Sequence, residues 1–284
     1  MENRDMGDMI KVLRCPLCKS KLNSGQGEEN EALVCSNKKC SSIYPVISDI
    51  PVLLASSKDD SYLSQQKKQK DEELRGAFTN LLDEDRKNQK NYKILERLSA
   101  FDQPNEFTVL DLGSGLGHTV KHLSKHFHES YGIELDFDRI LSGHATGQIV
   151  CADMTQIPFA NDYFDIVCCI GVVHHLADIE QYLLLINEIK RVLKNNGLLM
   201  LWEPKPAFYR GIAERFVFSP LGSFFRYTRC VKTILIKEAD EYKYWLAHYD
   251  QFFALLDDNG FELNKKKWGL FKDYRVFNFH RLAV

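Results

Sequence analysis

The chain has 284 residues, 44% of them hydrophobic, and a formal net charge of −2. That length supports one sizeable α/β domain plus a small appendage. The near-neutral balance gives no general attraction to nucleic acid, and no run approaches the eighteen apolar residues of a membrane span. The N-terminal Met1-Glu2-Asn3-Arg4-Asp5 lacks the apolar core of a signal peptide. A cytoplasmic location is therefore expected, where eight cysteines are reduced or metal-bound rather than paired.

Residues 1–60 carry four of those cysteines, as Cys15-Pro16-Leu17-Cys18 and Cys35-Ser36-Asn37-Lys38-Lys39-Cys40. Two such pairs on either side of a hairpin-like segment can set four thiolates around one tetrahedral Zn²⁺. Apolar runs at Ala32-Leu33-Val34, Tyr44 to Ile47 and Pro51 to Leu54 suit three short strands. So small a unit is marginal alone, and a metal supplies the missing stability. Four cysteines close the coordination sphere, so the metal is structural. Eight Lys/Arg against nine Asp/Glu in this segment do not suit a nucleic-acid-binding surface. The segment resembles the zinc-ribbon module that serves as a methyltransferase activator subunit and is fused to some bacterial rRNA guanine methyltransferases. It departs from that module in its second pair, which is C-x₄-C rather than C-x₂-C. Stripping the metal is expected to unfold residues 1–60 and leave the following domain's ligand binding largely intact, because the two are separate in sequence.

Residues 61–104 are read as a helical linker, with Tyr92, Ile94, Leu95 and Leu98 giving a stripe near its end. The domain proper is read as 105–284. It opens with an apolar strand, Phe107 to Leu110, then Asp111-Leu112-Gly113-Ser114-Gly115-Leu116-Gly117 and a helical segment, His118 to His126. Strand, glycine turn and helix make the first unit of a nucleotide-binding α/β domain. The G-x-G-x-G spacing is not the G-x-G-x-x-G of dinucleotide sites, and Asp111 would repel a pyrophosphate. A cationic sulfonium without phosphate, as in S-adenosylmethionine (SAM), would be attracted instead.

The remaining strands carry acids at matching places. Glu134 follows the strand Ser130 to Ile133, where a carboxylate accepts hydrogen bonds from ribose hydroxyls. Asp153 follows the short strand Gln148 to Cys151, where it accepts from the adenine amino group, with Met154 or its neighbour against the ring. Pro158-Phe159, Phe164-Asp165 and the strand Ile166 to Ile170 complete the order. Over about residues 90–204 the sequence resembles the class I SAM-dependent methyltransferases of the small-molecule type, with D-x-G-x-G, a ribose acid, an A-D-x-x-x-x-P-F turn and F-D-x-V. The resemblance implies a Rossmann-like α/β fold. Its seven-stranded, mostly parallel sheet lies between helices and ends in a reversed hairpin. It also implies SAM as cofactor, held by Asp111, Gly113, Ser114, Gly115, Gly117, Glu134, Leu135, Asp153, Met154 and Ile170, and it makes the helices of 61–104 part of a cofactor lid.

After the fourth strand comes Gly171-Val172-Val173-His174-His175-Leu176, with no Asn/Asp-Pro-Pro-aromatic turn, which argues against methylation of adenine or cytosine amino groups. Ligands of open α/β sheets lie at the carboxyl ends of the strands. His174 and His175 are therefore candidates for the acceptor end, where a histidine can act as a base. Ile179, Tyr182, Leu183, Ile186, Ile189, Val192 and Leu193 repeat at helical spacing, and Asn195-Asn196-Gly197 closes that helix. The fifth strand, Leu198 to Trp202, ends at Glu203, a third acceptor-side candidate.

Residues 205–284 hold 19 of the 33 aromatic residues and fourteen Lys/Arg against nine Asp/Glu, whereas 105–204 carries six against thirteen. The acidic half suits a cationic cofactor. A helix over Tyr249 to Leu256 and strands at Phe261 to Leu263 and Tyr274 to Phe279 complete the sheet. The insertion at about 205–240 is extra. Its Phe216, Phe218, Phe224, Phe225 and Tyr227, interleaved with Arg215, Arg226 and Arg229, are expected to cap the pocket at His174, His175 and Glu203. Methyl transfer to a small organic or lipid-like acceptor is the expected function. Methylation of a guanine in rRNA or tRNA and a non-catalytic SAM-binding docking module are the rivals. The oligomeric state is left open.

Overall fold

A computed structural model of the chain describes residues 6–26, 31–54, 106–143, 148–206, 210–268 and 272–281; the helical reading of 61–104 lies outside them. A short helix α1 (Met6–Val12) leads into a four-stranded antiparallel sheet, β1 (Leu22–Gln26), β2 (Glu31–Cys35), β3 (Ile43–Ile47) and β4 (Ile50–Pro51). One strand more forms than the apolar runs indicate, because Leu22 to Gln26 pairs with Cys35 to Glu31 although only its first residue is buried.

The second sheet has seven strands in the order β10-β11-β9-β8-β5-β6-β7. These are β5 (Thr108–Leu112), β6 (Glu129–Glu134), β7 (Ile149–Cys151), β8 (Phe164–Ile170), β9 (Leu193–Pro204), β10 (Phe261–Trp268) and β11 (Lys272–Phe279). β5 to β9 run parallel, and β11 is antiparallel to both β9 and β10. The fold is a Rossmann-like α/β sheet with the reversed final hairpin. β5 is fully buried along its length, as a central parallel strand with both faces covered must be. Alternate residues serve opposite faces. Leu110 and Leu112 pack in one cluster with Tyr182, Leu185, Ile186 and Ile189, and Val109 in another with Leu123, Ile166, Cys168 and Met200.

Seven further α-helices lie among the described residues. α2 (His118–Leu123) follows the glycine turn, and α3 (Phe137–Leu141) follows β6. α4 (Ile179–Val192) starts at an Asp178 N-cap that accepts from the Gln181 N–H at 2.8 Å, removing one of the unpaired donors of a helix start. It buries Tyr182, Leu185, Ile186, Ile189 and Val192; Leu183, expected in this stripe, is exposed instead. The chain passes from this helix directly into β9 at Leu193, and the Asn195-Asn196-Gly197 turn sits inside the strand, with Asn196 at φ 64. The insertion forms α5 (Arg210–Phe218) and α6 (Arg226–Lys237), followed by α7 (Ala239–Ala247) and α8 (Tyr249–Asp258). Trp245 of α7 is fully buried and donates its indole N–H to the Pro204 carbonyl at 2.7 Å, fastening α7 to the end of β9.

The two sheets are separate in sequence but not in space. Met9, Leu13, Leu22, Leu33, Tyr44, Val46 and Leu53 belong to the same buried cluster as Tyr131, Val150, Ile157 and Phe159. Leu13 bridges Phe159, the Arg14 N–H donates to the Pro158 carbonyl at 2.9 Å, and the Ala160 N–H donates to Val12 at 3.0 Å. Val52 pairs in parallel with Cys151, and the Leu53 N–H donates to the Cys151 carbonyl at 2.8 Å. The N-terminal unit thus covers β7, which would otherwise be an open sheet edge. Independent behaviour of residues 1–60 does not follow from this packing.

Candidate active site and metal centre

The strand order reverses direction between β5 and β8, and their carboxyl ends are the place where an open α/β sheet leaves a crevice. The turn after β5 holds Gly113, Gly115 and Gly117 at φ 69, 56 and 75, a left-handed conformation that costs an L side chain roughly 1–2 kcal/mol. A Cβ on Gly113 would also run into Val172, whose own Cβ would be 2.9 Å away. The two loops of the crevice therefore touch at Gly113. Gly115 differs, because a Cβ there would meet nothing within 4 Å. Its bare backbone faces open space, where a ligand can lie against main chain.

Ser114 is seated inward. Its hydroxyl donates to the carbonyls of Asp111 at 2.8 Å and Ile133 at 3.2 Å. That seat exists because residue 132 is glycine: a Cβ on it would stand 2.9 Å from the Ser114 Cβ. Glu134, at the end of β6, is 5% exposed and ties the turn to the next loop. Its Oε2 accepts from the Gly115 N–H at 2.8 Å, and its Oε1 from the N–H groups of Leu135 at 2.9 Å and Asp136 at 3.0 Å. Asp153, following β7, accepts from the Thr155 N–H and hydroxyl at 2.7 and 2.8 Å and caps the 3-10 turn Met154–Gln156. Asp111 lies buried at the start of the turn, and Ile170 is partly buried at the end of β8. A carboxylate beside a glycine turn with open space at Gly115 fits a phosphate-free nucleoside with a cationic group, and these residues could hold SAM.

The loop after β8 brings the three acceptor-side candidates together. Glu203 is 1% exposed and accepts on Oε1 from the N–H groups of Val172 and Val173 at 2.8 and 2.9 Å. Its Oε2 lies 2.8 Å from His174 Nδ1. Glu238, between α6 and α7, is a fourth member not among the residues expected at the site. Its carboxylate lies 3.8 Å from His174 Nε2 and 4.0 Å from His175 Nε2. Tyr242 of α7 packs on His174 with ring centres 4.8 Å apart. Burial opposes a charge on His174, but the hydrogen bond to Glu203 and the charges of Glu203 and Glu238 outweigh it and raise its pKa. Burial likewise opposes the charge on Glu203, while His174 and the two backbone N–H groups hold its carboxyl below the usual range. The only advance signal for Glu238 is its place in the acidic run Glu238-Ala239-Asp240-Glu241. The insertion's aromatic residues Phe216, Phe218, Phe224, Phe225 and Tyr227 are 44–80% exposed.

In the N-terminal unit, Cys15, Cys18, Cys35 and Cys40 come together with all four sulfurs within 4.8 Å of one another. Cys15 and Cys40 Sγ are 3.7 Å apart, and Cys18 and Cys35 Sγ 3.4 Å. Tetrahedral coordination with Zn–S bonds near 2.3 Å puts sulfurs about 3.8 Å apart, so the cluster has the size of a Zn²⁺ site.

Comparison with known proteins agrees with this geometry. Residues 110–201 match the methyltransferase domain family. The chain is 34% identical over 104 residues to an uncharacterised protein of Methanocaldococcus jannaschii, covering 37% of this chain and 44% of that one. It is 29% identical over 104 residues to the uncharacterised methyltransferase YcgJ of Bacillus subtilis (34% and 40% covered), and 30% identical over 108 residues to malonyl-[acyl-carrier protein] O-methyltransferase 1 of Coxiella burnetii (38% and 37% covered). The chain thus spans less than half the length of each of these relatives.

Proposed function

We propose that the protein transfers a methyl group from SAM to a small organic or lipid-like acceptor, with the glycine turn, Glu134 and Asp153 holding the cofactor. The observation that carries this reading is the Glu134 carboxylate joined to the Gly115 N–H beside open space. SAM supplies an activated methyl group on a cationic sulfonium. Gly113, Gly115 and Gly117 let it lie against backbone, with Asp111, Ser114 and Leu135 completing the turn and its neighbour. Glu134 accepts from the ribose hydroxyls, Asp153 from the adenine amino group, and Met154 and Ile170 flank the rings. Methyl transfer needs the acceptor atom in line with the methyl carbon and sulfur in a water-poor pocket, so placement supplies most of the rate.

Placement on the acceptor side falls to the loop after β8. Glu203 positions His174. His175 keeps 40% of its side chain open, which suits it to face an acceptor. Support for an organic or lipid-like acceptor comes from the exposed aromatic side chains of α5 to α6 next to Arg215, Arg226 and Arg229, and from the malonyl carrier-protein methyltransferase among the relatives. The cysteine cluster holds one structural Zn²⁺. To test the acceptor class, purified protein is incubated with methyl-labelled SAM and a cell extract, with and without nuclease. Label in nuclease-resistant organic or lipid material supports the proposal; label confined to nuclease-sensitive RNA rejects it in favour of guanine methylation.

A further inference from the structure

Beyond methyl transfer, the structure holds a second group of side chains arranged as metal ligands. We propose that His174, His175 and Glu238 form a divalent-cation site with an open position for an oxygen of the acceptor. The acceptor clause rests on the methyltransferase reading; the cation site does not.

The geometry begins at Glu203. Two backbone N–H groups fix one of its oxygens, and the other fixes His174 Nδ1 at 2.8 Å. With Nδ1–H donated to Glu203, the lone pair is on Nε2, which is turned toward Glu238. A carboxylate behind a histidine is the usual outer shell of a histidine metal ligand, fixing its tautomer and raising its basicity. His175 Nε2 faces the other oxygen of the same Glu238 carboxylate, and the two imidazoles lie 4.2 Å apart. The three ligand atoms all lie within 4.8 Å of one another.

The separations of 3.8 and 4.0 Å exceed a hydrogen bond, which falls at roughly 2.7–3.2 Å. Ligand atoms bound at about 2.0–2.2 Å to a shared ion stand roughly 3–4 Å apart, and the two histidine–carboxylate separations lie at the upper end of that range. Glu203 and Glu238 also place two buried carboxylates at one spot, and a dication beside neutral histidines balances both. Two imidazoles and one carboxylate select a first-row ion such as Zn²⁺, Fe²⁺ or Co²⁺ over Mg²⁺ or Ca²⁺.

The site is open where a working metal must be. His174 and Glu238 are buried, but His175 is partly exposed. Three protein ligands with a free position characterise catalytic rather than structural metals. The loop also touches the cofactor turn, since Val172 blocks any side chain at Gly113. An ion here would hold an acceptor hydroxyl or carboxylate oxygen beside the methyl group.

The test uses full-length protein first loaded with one Zn²⁺ per chain on the cysteines, then titrated with Co²⁺ and followed by visible absorption. One Co²⁺ per chain should bind, with the weak bands of nitrogen and oxygen ligation and no thiolate charge-transfer band. His175→Ala and Glu238→Gln should each weaken Co²⁺ binding at least tenfold, with zinc content and circular dichroism unchanged. Glu203→Gln should weaken it about 10- to 100-fold through the outer shell. If Glu203→Gln fails to fold, His175→Ala, at the partly exposed ligand, still decides the matter. Acetate should shift the cobalt bands by entering the open position. A zinc-loaded chain that takes up no Co²⁺, or variants that bind it as wild type does, overturns the site. Unchanged bands with acetate overturn the acceptor position. No step uses SAM, so a chain that binds Co²⁺ but transfers no methyl group fails the methyltransferase reading alone.

Discussion

The Gly115 N–H donates to Glu134 Oε2 over 2.8 Å, joining the turn after β5 to the end of the neighbouring strand β6. This one bond ties the glycine turn to the carboxyl end of β6. It also makes the glycines of the turn separable by experiment.

Gly113→Ala and Gly115→Ala should fail differently. Each places a side chain at a left-handed φ, at a cost of roughly 1–2 kcal/mol. Gly113→Ala adds a collision with Val172, and overpacking adds about 1–3 kcal/mol. The Gly113 variant should therefore melt at a clearly lower temperature than the Gly115 variant. Gly115→Ala should keep more of its stability but lose SAM affinity, because its methyl group occupies the open space. Thermal melts and calorimetric SAM titrations of both variants check the order; equal melting with equal SAM binding contradicts it.

Metal removal should reach the cofactor site. Val12 to Arg14 pair with Pro158 to Ala160, and Leu53 donates to Cys151, two residues before Asp153. Chelating the zinc should lower both the melting temperature and SAM affinity, contrary to what separation in sequence suggests. SAM titration before and after chelation reads the effect, and unchanged affinity in metal-free protein would show that the contact transmits nothing.

The same contact carries a pH dependence. Glu188 of α4 pairs with Arg191 and with Lys19 of the N-terminal unit, each at 2.8 Å. Burial pushes its carboxyl up, but the hydrogen bonds of Arg191 and the charge of Lys19 outweigh that and lower its pKa. A group with a depressed folded pKa stabilises above its unfolded value, near 4.5, and the contribution is lost as pH falls through the folded value. Glu188→Gln should cost about 1.5–3 kcal/mol at pH 7, the range for hydrogen bonds to a charged group. The gap from wild type should shrink below pH 4.5. Denaturant melts at pH 7 and pH 3.5 measure this; a gap that is the same at both rules out the ion pair as its source.

Much of this site could be read from the chain because its signals are local. Gly113, Gly115 and Gly117 sit within one turn, Glu134 and Asp153 each follow a short apolar run, and the cysteines come in close pairs. Glu238 could not be read that way. It lies thirty-five residues after Glu203, between two helices, and the fold brings it to the histidines where α7 docks through Trp245 onto Pro204 and Tyr242 packs on His174. The contact of the N-terminal unit with β7 was likewise invisible, since Val52 and Leu53 read as a strand of their own sheet.

The account turns on the cofactor, and one calorimetric titration of SAM into wild-type and Glu134→Ala protein tests it most directly. Losing a hydrogen-bonded charged acceptor costs about 1.5–3 kcal/mol, so wild type should bind one SAM per chain and the variant should bind it about 10- to 150-fold more weakly. No binding to folded wild-type protein, or equal affinity in the variant, would contradict the assignment.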